Sequence, residues 1–297
     1  MNTPSPDAGQ LRKASTRPVA GLDGGAAGPS AQRPAGRGWE RARAWAEHPL
    51  GIFCLRLGAF VAILLIWQAL ATWVIGGFWI SAPSTVAARI GKWAADGYLW
   101  QQVSITLEEA AVGFVLGAAG GCILGAVAGY YRMLGKVLEP IILALYSMPA
   151  IALAPLFLLW FGLGITSKIA VSGMTVLFIV FFNVYTGLRN VDQDLMNVVA
   201  VLGARRRHII LKLILPSVLT YLFLGLKVSL PFALIGAVVA EMVSSTRGIG
   251  FMMQNAVNLY DTTGVFVGLV LVSGISVLLG SGLRRLEQSV LRWKDVE

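Results

Sequence analysis

The sequence predicts an all-α membrane protein that crosses the bilayer six times, with both termini in the cytoplasm. Three observations predict it. The chain is 56% hydrophobic and 13% charged, with a mean hydropathy of +0.72, whereas a soluble domain is about 25% charged. So much apolar surface requires lipid as its solvent. Six apolar stretches, at 52–75, 106–130, 138–161, 168–188, 216–243 and 262–283, are each long enough to span about 30 Å of hydrocarbon at about 1.5 Å per residue. No apolar–polar alternation of strand period competes with them, so the bundle is helical.

Residues 1–49 are a different material, rich in Pro, Gly, Ala and Ser and poor in large apolar side chains. The expectation is a disordered basic cytoplasmic tail ahead of a six-helix membrane domain at 50–297. The tail has no apolar h-region, so it does not read as a signal peptide. Within it, 39–48 reads either as a short amphipathic helix on the membrane surface or as plain solvated tail. The net charge of +9 sits at the ends of apolar spans rather than on one soluble face. Lipid is therefore the expected partner and nucleic acid is not. Cys54 and Cys122 both lie in apolar stretches and read as small buried hydrophobes.

Lysine and arginine set the orientation. With the N-terminus inside, 19 of 24 fall in inner regions and four, Arg89, Lys92, Lys168 and Arg247, in outer ones, as the positive-inside rule requires. The outer connection 76–104 carries Trp79, Trp93, Tyr98 and Trp100, an aromatic anchor at the interface. It also holds a helix start at Ser81, Ala82, Pro83, Ser84 and Thr85, with Ser81 or Ser84 as its cap. The second span places Gly113, Gly117, Gly121, Gly125 and Gly129 at a period of four, a face for close helix packing within the chain. The third span holds Pro140, Pro149 and Pro155, each of which bends or breaks a helix. Ser147, Met148 and Pro149 are thus candidates for a translocation pathway, with structural kinking as the plainer alternative.

Signals for catalysis are nearly absent. His48 and His208 lie in the tail and in a basic loop, so neither forms half of an internal dyad or metal site. There is no GxxxxGK[ST] phosphate loop, so the chain does not hydrolyse ATP alone. Ionisable residues near the spans are functional candidates by default. Glu108 and Glu109 read as snorkelling to the outer interface, and Glu139 as an inner anchor beside Lys136. Glu241 either pairs with Arg247 or serves the pathway. Lys227, inside the fifth span, either pairs with a carboxylate or faces an anionic solute.

The sharpest feature is the inner loop 195–216. It holds Arg205, Arg206, Arg207, His208 and Lys212. Apolar residues recur at helical spacing on both sides of Gly203, and Pro216 closes it. That pattern predicts two short amphipathic helices joined at a glycine. A positive-inside anchor explains the arginines but neither the glycine nor the Leu215–Pro216 ending.

This loop resembles that of ABC-importer permeases of the binding-protein-dependent type, whose pattern is E-A-A, three residues, G, nine residues, I-x-L-P. Gly203 takes the glycine and Leu215–Pro216 the ending, while Leu213 replaces isoleucine and Asn197, Val198 and Val199 replace E-A-A. The resemblance covers about 52–293. It is nearest to nitrate, sulfonate and taurine permeases, through Ser81 to Val86, Met148 to Leu156 with Trp160 to Gly164, and Val239 to Met242 followed by Gly248, Ile249 and Gly250. Similar permeases import bicarbonate, pyrimidine vitamin precursors and aromatic acids.

The resemblance implies a type I importer permease fold and a multi-pass protein of the bacterial inner membrane, itself non-catalytic. It implies a second, identical permease copy, two cytoplasmic ATPase subunits that bind ATP and Mg, and an extracytoplasmic solute-binding protein. No cofactor is expected in this chain. Asn197, Ala200, Gly203, Ala204, Arg205, Leu215 and Pro216 map onto the ATPase-coupling loop. The solute implied is small and anionic. An ion-coupled secondary transporter is the alternative; it calls for inverted repeats and a buried midplane carboxylate. An integral-membrane enzyme calls for a His, Asp or Glu cluster near one interface, which the sequence lacks.

Overall fold

The computed structural model describes residues 49–148 and 150–291. The expected tail up to residue 48, the surface helix at 39–48, Pro149 and the last six residues lie outside the described residues. The same holds for the side chains of Asn197 and Ala200. Contacts divide the chain between Ala59 and Phe60. In the first unit, residues 49–59 are helical; the contacts described below all belong to the second.

Among the described residues, all regular structure is helical. Helix α1, Pro49–Ala69, continues through a π-helical turn at Leu70–Val74. Next come α2, Pro83–Ala95, and α3, Tyr98–Tyr130. Helix α4 is Arg132–Tyr146, α5 is Ala150–Phe161 and α6 is Ile165–Arg189. Two short inner helices follow, α7 at Gln193–Val201 and α8 at Arg206–Ile209. A π-helical turn, Ile210–Ile214, leads into α9, Leu215–Ser244. Helix α10 is Ile249–Asn258 and α11 is Thr262–Val290.

The start of α2 differs from expectation by one residue. Ala82 is its N-cap, with Pro83 behind it. Pro83 suits the first turn because its missing N–H has no partner there. Neither serine caps. Ser81 Oγ bonds the Thr85 and Thr263 hydroxyls, and the Ser84 N–H donates to Gln68 Oε1.

Among the described residues, five helices are long and apolar enough to cross a membrane. The third expected span, 138–161, is not one helix but α4 and α5, of 15 and 12 residues. Neither crosses about 30 Å alone. Helix α4 ends at Tyr146 and the break takes in 147–148, while Pro140 and Pro155 lie inside continuous helix.

The packing of α3 on α6 shows that the pair still crosses. These helices run parallel: Gly113 lies at Ser172, Gly117 at Gly173, Gly121 at Leu177, Gly125 at Phe181 and Gly129 at Leu188. A parallel pair requires the intervening chain to travel back along its whole length. Helix α4 begins that return beside the C-terminal half of α6, where Ile142 packs with Phe181 and Tyr185. Helix α5 ends it beside the N-terminal half, where Ala154 packs with Val171 and Ala240.

The expected small-residue face is therefore internal packing, and its closeness requires glycine. A Cβ on Gly117 would stand 2.2 Å from the Gly173 carbonyl oxygen, and one on Gly121 2.5 Å from that of Leu177. Helix α9 runs antiparallel to α6, with Gly236 on Ser172 and Gly225 on Asn183. Helix α11 runs antiparallel to α9, from Val267 beside Val238 to Glu287 beside Lys227. One end of this unit thus gathers Lys136, Arg189, Arg205, Arg207, Lys212, Arg284 and Arg285, which is the inner end by charge.

Two alanine substitutions should separate. Gly117→Ala should cost about 2 kcal/mol, because backbone rather than a flexible side chain must move. Gly274→Ala, whose Cβ meets nothing within 4 Å, should leave stability unchanged or raised by up to about 1 kcal/mol. Thermal midpoints of the solubilised protein check both.

Candidate functional site

Two polar constructions stand at opposite ends of the helices. At the inner end, Asp192 starts α7: its Oδ1 accepts the N–H groups of Asp194 at 2.8 Å and Leu195 at 3.2 Å. Such a cap is worth about 1 kcal/mol. The helix ends in a Schellman-type turn, with the Ala204 N–H on the Val199 carbonyl at 3.2 Å. Gly203 holds the left-handed position of that turn, at φ +80°. A Cβ there would meet nothing within 4 Å. The glycine is needed for its backbone and not for space.

The turn presents apolar side chains to solvent: Val201 is 88% exposed and Leu202 80%. Exposed Arg205 and Arg207 follow. Apolar tips ringed by cations mark an interaction surface. Pro216 lies in the first turn of α9, but the chain does not begin afresh there. Ile214 is already helical at φ −69° and ψ −51°, so α8, the π-turn and α9 are continuous. Proline's missing N–H falls where the π-turn gives way to α-helix. A cleft of about 690 Å³ lies behind the hairpin, lined by Gly129, Tyr130, Lys136, Arg189, Met196 and Ile214 among others.

Within the spans, Lys227 takes the pairing alternative. Its Nζ donates to both Glu287 oxygens at 2.9 Å, joining α9 to α11. Ser147 Oγ donates to its own helix at the Leu143 carbonyl. Met148 is 49% exposed beside the break. Glu139 accepts the Tyr185 hydroxyl at 2.9 Å.

At the outer end lies a buried network that the sequence reading missed. Glu241 does not pair with Arg247. Its Oε1 accepts the Thr106 hydroxyl at 2.7 Å and its Oε2 accepts the Gly250 N–H at 2.6 Å. Thr106 Oγ1 also accepts the Ile249 N–H at 2.8 Å, and Gln102 Oε1 accepts the Gly248 N–H at 2.6 Å. Glu109 does not snorkel: it is 1% exposed. Lys168, counted above with the outer loops, is buried in α6. Its Nζ donates to Glu109 Oε1 at 3.1 Å and Ser245 Oγ at 2.9 Å. Glu109 Oε2 has no hydrogen-bond partner. The available signal was a polar stripe at 102, 106 and 109, which continues the glycine face of α3 at helical spacing.

A family described as binding-protein-dependent transport system inner membrane component matches residues 117–292. The putative aliphatic sulfonates transport permease protein SsuC of Bacillus subtilis is 34% identical over 78% of this chain and 85% of its own length. The taurine transport system permease protein TauC of Escherichia coli is 29% identical over 80% and 89%. The inward-facing MetNI methionine ABC transporter shares the fold, with a TM-score of 0.51 and 20% identity over 64% of this chain and 93% of that one.

Lys168→Met should cost about 3 kcal/mol, since it strands a buried carboxylate. Adding Glu109→Leu should recover most of that loss. A double-mutant cycle on thermal unfolding measures the coupling.

Proposed function

The chain belongs to the binding-protein-dependent transport system inner membrane component family, and from that premise we propose that it forms the translocation path for a small anionic solute. The settled part is coarser. The chain is a non-catalytic permease subunit of an ABC importer of the inner membrane, with ATP hydrolysis on a separate subunit and solute delivered by a binding protein. The proposal adds that two identical copies enclose the path and that two ATPases, holding ATP and Mg, dock on the inner hairpins. It also adds that the solute is an organosulfonate, taurine, nitrate or a bicarbonate-like anion.

One observation carries the docking assignment. Val201 and Leu202 stand exposed at a glycine-dependent turn, with Arg205 and Arg207 beside them. A hairpin of this kind fits a groove on a partner protein, with apolar tips for affinity and cations for orientation. Gly203, Ala204 and Arg205 form the turn, Asn197 and Ala200 lie on the helix before it, and Leu215 and Pro216 join it to α9. Movement of a docked ATPase then reaches the span without an intervening loop. The anionic assignment is supported by the relatives named for aliphatic sulfonates and taurine. Ser147, Met148 and Pro149, at the break in the third crossing, are proposed to line the path.

Gly203→Leu should abolish uptake while the protein stays in the membrane. A non-glycine residue in the left-handed region costs about 1–2 kcal/mol, so the turn is distorted where the partner docks. Gly203→Asn, which tolerates that region, should keep most uptake. Normal uptake and ATPase association in Gly203→Leu would sink the docking assignment. For the solute, uptake of a labelled alkanesulfonate should be competed by taurine and not by an uncharged pyrimidine. The reverse pattern removes the anionic assignment and leaves the permease intact.

A further inference from the structure

The outer network joins elements that the chain brings together from four separate places. The backbone N–H groups of Gly248, Ile249 and Gly250, at the start of α10, each meet a different side chain: Gln102, Thr106 and Glu241. The first N–H groups of a helix have no partners within it. Here they are met from α3 and α9, while Lys168 of α6 holds the preceding turn through Ser245. Glu241, 1% exposed, and Thr106, fully buried, also bond each other. The carboxylate at Glu241 sits at the positive end of the α10 dipole.

Nothing in this arrangement has room to slide. A Cβ on Gly250 would stand 2.1 Å from the Val238 carbonyl oxygen. Behind α10, Met252 and Met253 pack with Val86 of α2 and Val267 of α11. Opening the network would leave several buried polar groups without partners in an apolar setting, the costliest place for them. The α3–α6 contact is nearly as tight, with a Cβ on Gly117 2.2 Å from the Gly173 carbonyl oxygen, and the α6–α9 contact is close, with a Cβ on Gly187 2.7 Å from the Tyr221 Cβ.

We propose that Gln102, Thr106, Lys168 and Glu241 are positioning residues. They weld α10 to α3, α6 and α9, so that these four helices move as one rigid body through the transport cycle. Relative motion is then confined to other places, chiefly the break at 147–148 and the junctions around the inner hairpin. This inference rests on the importer reading, since it concerns how an event at the outer end reaches the ATPase.

The experiment uses the full chain, with Cys54 and Cys122 replaced by Ser, reconstituted with the ATPase and solute-binding protein of the same importer. One arm locks the weld. Val238→Cys and Ile249→Cys, packed in one cluster and outside the side-chain hydrogen-bond set, are joined directly as a disulfide by catalysed oxidation. The bridged protein should keep its uptake. A block relieved by cleaving the bridge means the network opens in each cycle and overturns the proposal. The other arm loosens the weld with Thr106→Val and Glu241→Gln. The ratio of binding-protein-stimulated to basal ATP hydrolysis should fall about tenfold, a typical coupling factor. Thr106→Ser, which keeps the hydroxyl, should restore it even if Glu241→Gln does not fold. An unchanged ratio in Thr106→Val overturns the positioning role. Absence of any stimulation or uptake in the unsubstituted chain refutes the importer reading instead.

Discussion

Helices α3 and α6 touch backbone to backbone, and the course of the chain depends on that contact. With side chains removed at Gly117 and Gly121, two long spans lie side by side and point the same way. In lipid this is a demanding choice, because no hydrophobic force drives helices together and close van der Waals approach must do the work. It also dictates topology. A parallel pair leaves the chain between its members one course, back across the full thickness. That return is assigned to α4 and α5, neither long enough to cross alone. A broken helix at membrane depth survives only where protein or water covers its freed backbone groups. The return crossing is thus a consequence of the α3–α6 contact, whereas its division into two helices, after Tyr146, is local.

The same low-dielectric surroundings explain the treatment of charge. Lys227 has Glu287, Lys168 has Glu109, and Glu241 has a hydroxyl and a helix N-terminus. Each of these three groups is met by a partner from another helix, because an isolated one would be too costly. Polar groups thereby do a second job: they specify which helices are neighbours. This is a stricter constraint than apolar packing, which tolerates many arrangements of similar volume.

What was legible in the sequence follows from range. Five of the six crossings, the glycine face and the glycine joint at 203 are properties of period and local backbone, and each stands where the residues placed it. The outer network was not legible because its partners are far apart in the chain. Lys168 and Glu109 are 59 residues apart, Thr106 and Glu241 135, and Gln102 and Gly248 146. Charge counting treats a lysine at the start of a span as a loop residue, and so mislaid Lys168. Glu109 was assigned to the interface for the same reason. The α2 cap failed differently. Pro83 fixes where the helix begins, which puts Ala82 at the cap and frees Ser81 to bond Thr263.

The two ends of the protein are connected by geometry. Helix α6 runs without interruption from Lys168 in the outer network to Arg189 at the inner cleft, and α9 runs back from Pro216 to Glu241. The hairpin with Gly203 joins their inner ends, and Lys168, bonded to Ser245 just beyond α9, joins their outer ends. Two stiff rods tied at both ends form a closed frame. Force applied to the hairpin therefore tilts the frame as a whole instead of sliding one rod past the other. That is the rigid-body class of transition, and it needs no separate pathway of residues to carry a signal across the membrane. The asymmetry lies in the ties. The inner one is an exposed turn, and the outer one is buried, with each Glu241 oxygen accepting a hydrogen bond.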